Sequence, residues 1–473
     1  MPRESSREST PDATPAATRD ATRASARETA LQPTRLARRA ALLAPLALTG
    51  CGLWDKWFAE SAKPPLPGKR EPVLPPGRSL LPDPNAPKVM LPRPVRNAGW
   101  PQAGGNPAHD MGHLAANPVL AQAWSVSIGD PGGYRSKILA QPVVANGLVY
   151  TMDSAGNVTA FTLANGARVW RTETKGKHVH SSNVRGGLGV SGGILYAVNG
   201  LGDLVALDAA KGTEHWRSYL GAPGRSAPTI VEGRLFLTTI EDKVLALAAL
   251  DGHTIWVFQG AAAQPAVLGR PAPAFANGLV VAGFSSGEIA CLRAENGNVV
   301  WSDSLGGYLG GGGSADFSAV RGRPAIGNGR VVATGMGGLM LCLDLPTGRR
   351  LWELQVSSED SPWVAGEWVF MVSLDQRMAG MTMAAGDVAW ASQMPRWLNE
   401  AKEKNPITWF GPTLLGDRLV VTGTNSEALS VSPYTGEILG RLKLPSPASP
   451  IEPVVAEGTL LLISQDGKLL ALR

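Results

Sequence analysis

The chain is poor in cysteine, in charge and in long apolar runs, and each shortage closes off a class of protein. Its three cysteines, Cys51, Cys291 and Cys342, include no adjacent pair, which excludes a disulfide between neighbours. Charged residues are 18% of the 473, with a formal net charge of +5. Most of that excess lies at the start. Residues 1 to 50 hold eight Arg and five acids, leaving 36 bases against 34 acids in the remainder. No basic stripe is left to neutralise phosphates, so nucleic acid is not an expected partner. No apolar run reaches the roughly 18 residues that a membrane-spanning helix needs. The glycine run from Gly310 to Gly313 is followed by no Lys-Ser or Lys-Thr, so it is a loop rather than a phosphate cradle. His109 and His113 have helical metal spacing, but no Cys or Glu completes the shell; they and the pair His178 and His180 read as polar decoration.

Glycine and proline are abundant, 56 and 37 residues, which suits many short strands joined by turns. The glycines are also regularly placed. A unit recurs that starts on Gly147, Gly193, Gly233, Gly278, Gly329, Glu367, Asp417 and Gly458. Thirteen residues on stands a small residue, in turn Ala160, Ala206, Ala246, Cys291, Cys342, Gly380, Ser430 and Ala471. Six further comes a second glycine, and at 23 from the start the unit closes on Trp170, Trp216, Trp256, Trp301, Trp352 and Trp390, with Gly440 in the seventh place. Fixed spacing over more than 300 residues specifies one supersecondary unit used repeatedly.

Each unit contains four short runs rich in branched and aromatic residues, such as Thr229-Ile230-Val231, Leu235-Phe236-Leu237, Val244-Leu245-Ala246-Leu247 and Ile255-Trp256-Val257. These predict a four-stranded antiparallel sheet, or blade, that is apolar on both faces and needs a sheet on either side. The last unit stops at Arg473, before its fourth strand, while Trp124 stands 23 residues ahead of Gly147 with no unit before it. The expected fold is therefore all-β: an eight-bladed β-propeller closed by its N-terminal strand. The second glycine allows positive φ at the turn into the fourth strand, and the small residue marks a close approach between blades. Cys291 and Cys342 fill that small slot and read as buried filler. Length varies only after the fourth strand, by 15 to 28 residues to the next unit, so the variable loops share one face, the default face for recognition.

Upstream, Arg35, Arg38 and Arg39 precede an apolar run from Ala40 to Leu48 and then Leu48-Thr49-Gly50-Cys51. This resembles the bacterial lipobox, which implies cleavage before Cys51 and lipid on its thiol and freed amine. Gly52 is not the Asp that retains enteric lipoproteins at the inner membrane, which implies the outer one. Residues 1 to 50 are thus expected as a signal peptide with an over-long start, 51 to 96 as a lipidated proline-rich tether, and 97 to 473 as the propeller. Eleven prolines between Ser61 and Pro94 favour extended chain without a core.

The stretch Ala206-Leu207-Asp208-Ala209-Ala210-Lys211-Gly212-Thr213-Glu214-His215-Trp216 resembles the tryptophan-docking motif of pyrroloquinoline-quinone-type propellers. With the lipobox, the chain resembles the BamB family of outer-membrane β-barrel assembly lipoproteins over residues 97 to 473. That resemblance implies a non-catalytic scaffold without cofactor. It also implies docking to a BamA-like barrel-forming subunit and assistance to unfolded outer-membrane clients. The family docks through the loop after the second blade, which carries Leu220 and Arg225 here, and the loop after the third, where Leu268 and Arg270 replace an acidic pair. Leu220, Arg225 and Arg270 are the expected partner contacts, and Trp124 with the six repeat tryptophans the structural docking set.

Two other classes stay open. A quinone-dependent dehydrogenase would need oxygen ligands for calcium over the channel, and Asp153, Glu241, Asp303 and Asp316 form no recognisable constellation. A cell-wall-binding module would need exposed aromatics, for which Trp363, Trp368, Trp397 and Trp409 are the candidates.

Overall fold

The computed structural model describes residues 78–133, 137–176, 186–261, 271–306 and 318–473. Eight four-stranded antiparallel sheets make up the ring. In the first blade the strands are Val143–Ala145, Leu148–Met152, Asn157–Thr162 and Arg168–Glu173, from inside to outside. The inner three are almost wholly buried, whereas the outermost alternates exposed and buried positions, as a sheet edge facing water should. The eighth blade closes as expected: Gln122–Ser127 pairs antiparallel with Lys468–Leu472, placing Trp124 opposite Ala471.

The repeat residues form a row across each sheet. Tyr150 lies opposite Ala160, and Ala160 opposite Trp170. The same register joins Phe236, Ala246 and Trp256, and Phe370, Gly380 and Trp390. The two rings flanking the small residue approach to 5.9 Å between centroids in the first blade and 5.8 Å in the third. The small slot thus makes room for the indole of its own blade, and at Cys342 it also meets the next one, Sγ lying 3.8 Å from the Met383 carbonyl. At Gly380 an added Cβ would stand 2.8 Å from Cε2 of Trp390.

The contact between blades is made by the indole and the second glycine. Nε1 of Trp170 donates to the carbonyl of Ala209 at 3.0 Å, Trp256 to Ala294 at 2.9 Å, Trp301 to Leu345 at 2.7 Å and Trp390 to Pro433 at 2.8 Å, each acceptor lying in the following blade. Trp124 does the same to Leu163, across the closure. In the second blade Tyr196 instead donates its hydroxyl to Ala249, while Trp216 rests on Gly252. Each glycine lies under the indole of the blade before it: a Cβ on Gly297 would stand 2.7 Å from Cε3 of Trp256, and φ there is 74°. Cys291 and Cys342 are fully buried free thiols, whose ionisation burial pushes up to about 12.

Ahead of the ring, the chain from Arg78 onward lies against it, including Arg78 to Arg96, which the sequence reads as tether. Arg78 donates to the carbonyls of Ala385 and Gly386 and to Asp387, on the sixth blade. Leu80 and Val89 are buried among residues of the fifth to seventh blades. Residues 97 to 114 then reach every blade in turn. Asn97 bonds Val455 of the eighth blade, Trp100 exchanges two backbone bonds with Val144 of the first, and Pro101 accepts from Val190 of the second. The Gln102 side chain accepts from the Ile230 amide, Pro107 from Phe275, Ala108 from Ile326, Gly112 from the Trp363 indole, and Leu114 from Gly416. We call residues 78 to 121 the strap. It lies on the face carrying the turns between first and second strands, the turn face; the variable loops leave from the opposite, loop face.

Candidate functional site

The centre of the ring is where propeller enzymes would need space, and here the strap fills it. Trp100, 1% exposed, donates its indole N–H to Gln141 Oε1 at 3.1 Å, and Gln141 donates onward to the Glu452 carbonyl. His109, also buried, has Nδ1 2.7 Å from the Pro324 carbonyl, which fixes the proton on Nδ1. Arg323 faces Glu452 at 3.4 Å, both side chains 6% exposed, and Ser361 hydrogen-bonds both neighbours. These residues leave a cavity of about 20 Å³ between them. That is the size of a single water, against the several hundred Å³ of a small-molecule site. The central residues therefore do not fit a bound quinone.

Burial, and secondarily the Arg323 charge, lowers the His109 pKa to about 3, so its imidazole stays neutral. His113 is buried too, with Nδ1 2.8 Å from the Pro92 carbonyl and Nε2 3.1 Å from the Asp417 amide. Both histidines are structural members of the strap, which corrects their reading as decoration. Their partners are backbone groups far along the chain, invisible to residue spacing.

No three His, Cys, Asp or Glu side chains converge as a metal site among the described residues. Asp153 is fully buried and bonded to Arg171 at 2.8 Å, and Asp303 pairs with Arg350. Glu241 pairs with Lys243 at 2.6 Å, and Asp316 lies outside the described residues. The four tryptophans considered for glycan stacking do not form a platform. Trp368 and Trp409 are buried, Trp363 is half-buried and stacked 6.3 Å from Trp100, and Trp397 is half-buried with Arg396 over its ring at 5.7 Å.

The residues expected to touch a partner have a different place. Leu220 packs with Tyr196, Leu204 and Leu235 between the second and third blades. Arg225 is 4% exposed: Nη1 lies 2.8 Å from Asp242 Oδ1, and Nη2 donates to the Val320 carbonyl at 3.2 Å. Asp242 also accepts from the backbone N–H and hydroxyl of Ser285, so one buried ion pair ties the third blade to its two successors. The loop between Tyr219 and Ser226 is too short to project these side chains, so it folds them inward. Neither presents its side chain to solvent. Arg270 and Cys51 lie outside the described residues. Sequence reasoning missed Tyr219, 71% exposed at the end of Glu214–Tyr219 on the loop face. It also missed the hairpin of Trp397–Asn399 and Lys404–Pro406, the one added sheet among the described residues, which stands on the same face. Alternation along the outer strand is the signal for Tyr219; nothing in the repeat marks the hairpin.

Known proteins place this architecture. A family model described as outer membrane protein assembly factor BamB matches residues 154–392. The BamB of Yersinia pestis is 23% identical over 328 residues, covering 68% of this chain and 81% of its own length. That of Burkholderia pseudomallei is 27% identical over 320 residues, covering 67% and 80%. Against the BamB of Shigella dysenteriae, 26% identical, the chain spans about half of the relative's length, 48%. Among solved structures, BamB from Moraxella catarrhalis superimposes with a TM-score of 0.64 at 19% identity, covering 75% of this chain and 100% of that one. A quinohemoprotein alcohol dehydrogenase from Comamonas testosteroni gives 0.61 at 13% identity, covering 80% and 81%. Likeness at such identities shows the fold, which enzymes and assembly factors share. The family model spans half of the chain, and on that ground the chain belongs to the family of outer membrane protein assembly factor BamB.

Proposed function

We propose that this chain is a non-catalytic scaffold lipoprotein of the machinery that assembles β-barrel proteins in the outer membrane, held on the periplasmic side by lipid on Cys51. The observation that carries the reading is the filled centre, where about 20 Å³ remains between Trp100, His109 and Arg323. With no room for a reactant between these described residues, the reading assigns the work to the faces and edges of the ring.

The proposed docking partner is the BamA-like barrel-forming subunit, met by the loop face. Tyr219 is the anchor there, since a large exposed ring of modest conformational freedom suits an interface hot spot. Leu220 and Arg225 act by fixing the loop that starts beside it, and Arg270 remains a proposed contact on the following loop. Unfolded clients are proposed to add as strands to the outermost strands, where Val169, Val257, Val299 and Leu439 are exposed.

The test is affinity purification of the tagged, lipidated chain from membranes. The barrel-forming subunit should co-purify, and Tyr219→Ala should reduce its yield while leaving the melting temperature unchanged. Purification without that subunit at any yield overturns the assignment.

A further inference from the structure

The strap shows water a face of its own. From Pro84 to His109 the sequence contains Lys88, Arg93 and Arg96 and no carboxylate. Val89 points into the ring beside Ala365 and Trp368 and turns its neighbours outward. The run beyond is pinned where Pro92 accepts from His113, and where Val95 donates to the His113 carbonyl and accepts from Ala115. Held in this way, Lys88, Met90, Arg93, Val95 and Arg96 are all exposed, Met90 at 80% and Val95 at 66%. Lys88 and Arg93 make no ion pair or hydrogen bond within the chain among the described residues. Met90 and Val95, exposed among cations of which Lys88 and Arg93 are unpaired while Arg96 donates to the Glu457 carbonyl at 3.1 Å, cost solubility and add nothing to the core.

The acids bordering it on the turn face are largely committed elsewhere. Asp387 pairs with Arg78, Glu367 with Arg330 and Asn328, and Asp417 accepts from the Tyr434 hydroxyl; Asp83 caps the Asn85 amide. Next to the run, Arg96 and Arg473 flank a cleft of about 560 Å³ with Ala116 and Leu163, and Glu457 is its one carboxylate side chain. Arg78, where the strap begins, stands 27 residues after Cys51.

We infer that the exposed strap is a membrane-contact surface that rests on anionic phospholipid headgroups. Its cations meet lipid phosphates, Met90 and Val95 reach the acyl boundary, and the cleft between Arg96 and Arg473 admits a headgroup. Each Lys or Arg near an anionic leaflet contributes a small, additive attraction. Three suffice beside a tether, because the lipid keeps the surface at a high effective concentration of its target. The disc would then lie with its turn face toward the membrane and its variable loops toward the periplasm. The inference deepens the scaffold reading and rests on it only for the location of the protein.

The test uses the mature chain from Gly52 to Arg473, which carries neither the lipid nor the basic, apolar leader, in flotation assays with vesicles of phosphatidylglycerol and phosphatidylcholine or of phosphatidylcholine alone, at millimolar lipid. The chain should float with the anionic vesicles, stay behind with the neutral ones, and be released as salt is raised. Lys88→Gln with Arg93→Gln should weaken flotation about tenfold or more at an unchanged melting temperature. Flotation indifferent to the substitutions, or to lipid charge, overturns the inference. So does a double variant that floats normally but loses the barrel-forming subunit, which would make the occupant an acidic protein surface. Co-purification of that subunit is read separately, so failure on vesicles leaves the scaffold reading standing.

Discussion

An indole and the glycine beneath it act as a single joint. Trp256 needs Gly297 because the turn requires positive φ and the ring occupies the space of a side chain. Trp256→Ala should destabilise by about 3–5 kcal/mol, measured by denaturant titration. Gly297→Ala should cost about 2–4 kcal/mol, combining left-handed strain with overpacking. The two losses should fall short of additivity in the double variant, because they remove one contact. The glycine and tryptophan were legible because both recur at constant spacing. The partners of Arg225 and His109 were not: a buried cation is disclosed only by its counter-charge, and Asp242 bears no fixed sequence relation to it. His109 makes a pH prediction. It stays neutral in the ring down to about pH 3, while the unfolded chain takes up a proton near 6.5. Stability contributed by the neutral ring is complete above that upper value and declines as pH falls through the window below it. His109→Gln should flatten this part of the curve of melting temperature against pH.

At the level of the element, the missing seventh tryptophan has a physical reason. Each indole rests on the glycine of the turn between third and fourth strands in the next blade. The eighth blade takes those strands from opposite ends of the chain, Lys468–Leu472 and Gln122–Ser127, so it has no such turn. The seventh blade therefore has nothing for an indole to rest on, and Gly440 occupies the position with open space around it. Gly440→Ala should be neutral or stabilise by up to about 1 kcal/mol, the opposite sign to Gly297→Ala. The strap, by contrast, was illegible. Its bonds run mainly from one backbone to another, and such bonds leave no pattern in side chains. Prolines that read as a tether also suit a segment that accepts through Pro101 and Pro107 and has fewer N–H groups to satisfy.

Over the whole molecule, the two faces differ in what they can do. One carries the variable loops, Tyr219 and the added hairpin; the other is overlaid by the strap, which touches all eight blades. The strap should behave as a bound part of the ring even when its covalent link is lost. Asn117 to Val119 are exposed, so a protease site placed there allows the link to be cut in the folded protein. After cleavage the upstream fragment should co-elute with the ring in size exclusion and separate only in denaturant. Early separation would show that the hydrogen bonds around the centre contribute little.

The route of the chain also governs mechanics. Any pull arriving through the residues ahead of Arg78 enters at the rim of the sixth blade, far along the chain from the Gln122–Ser127 strand that fastens the circle. Load is shared among anchorages distributed around the hub before it reaches that fastening, and so a leash under tension does not act first on the strand that closes the disc.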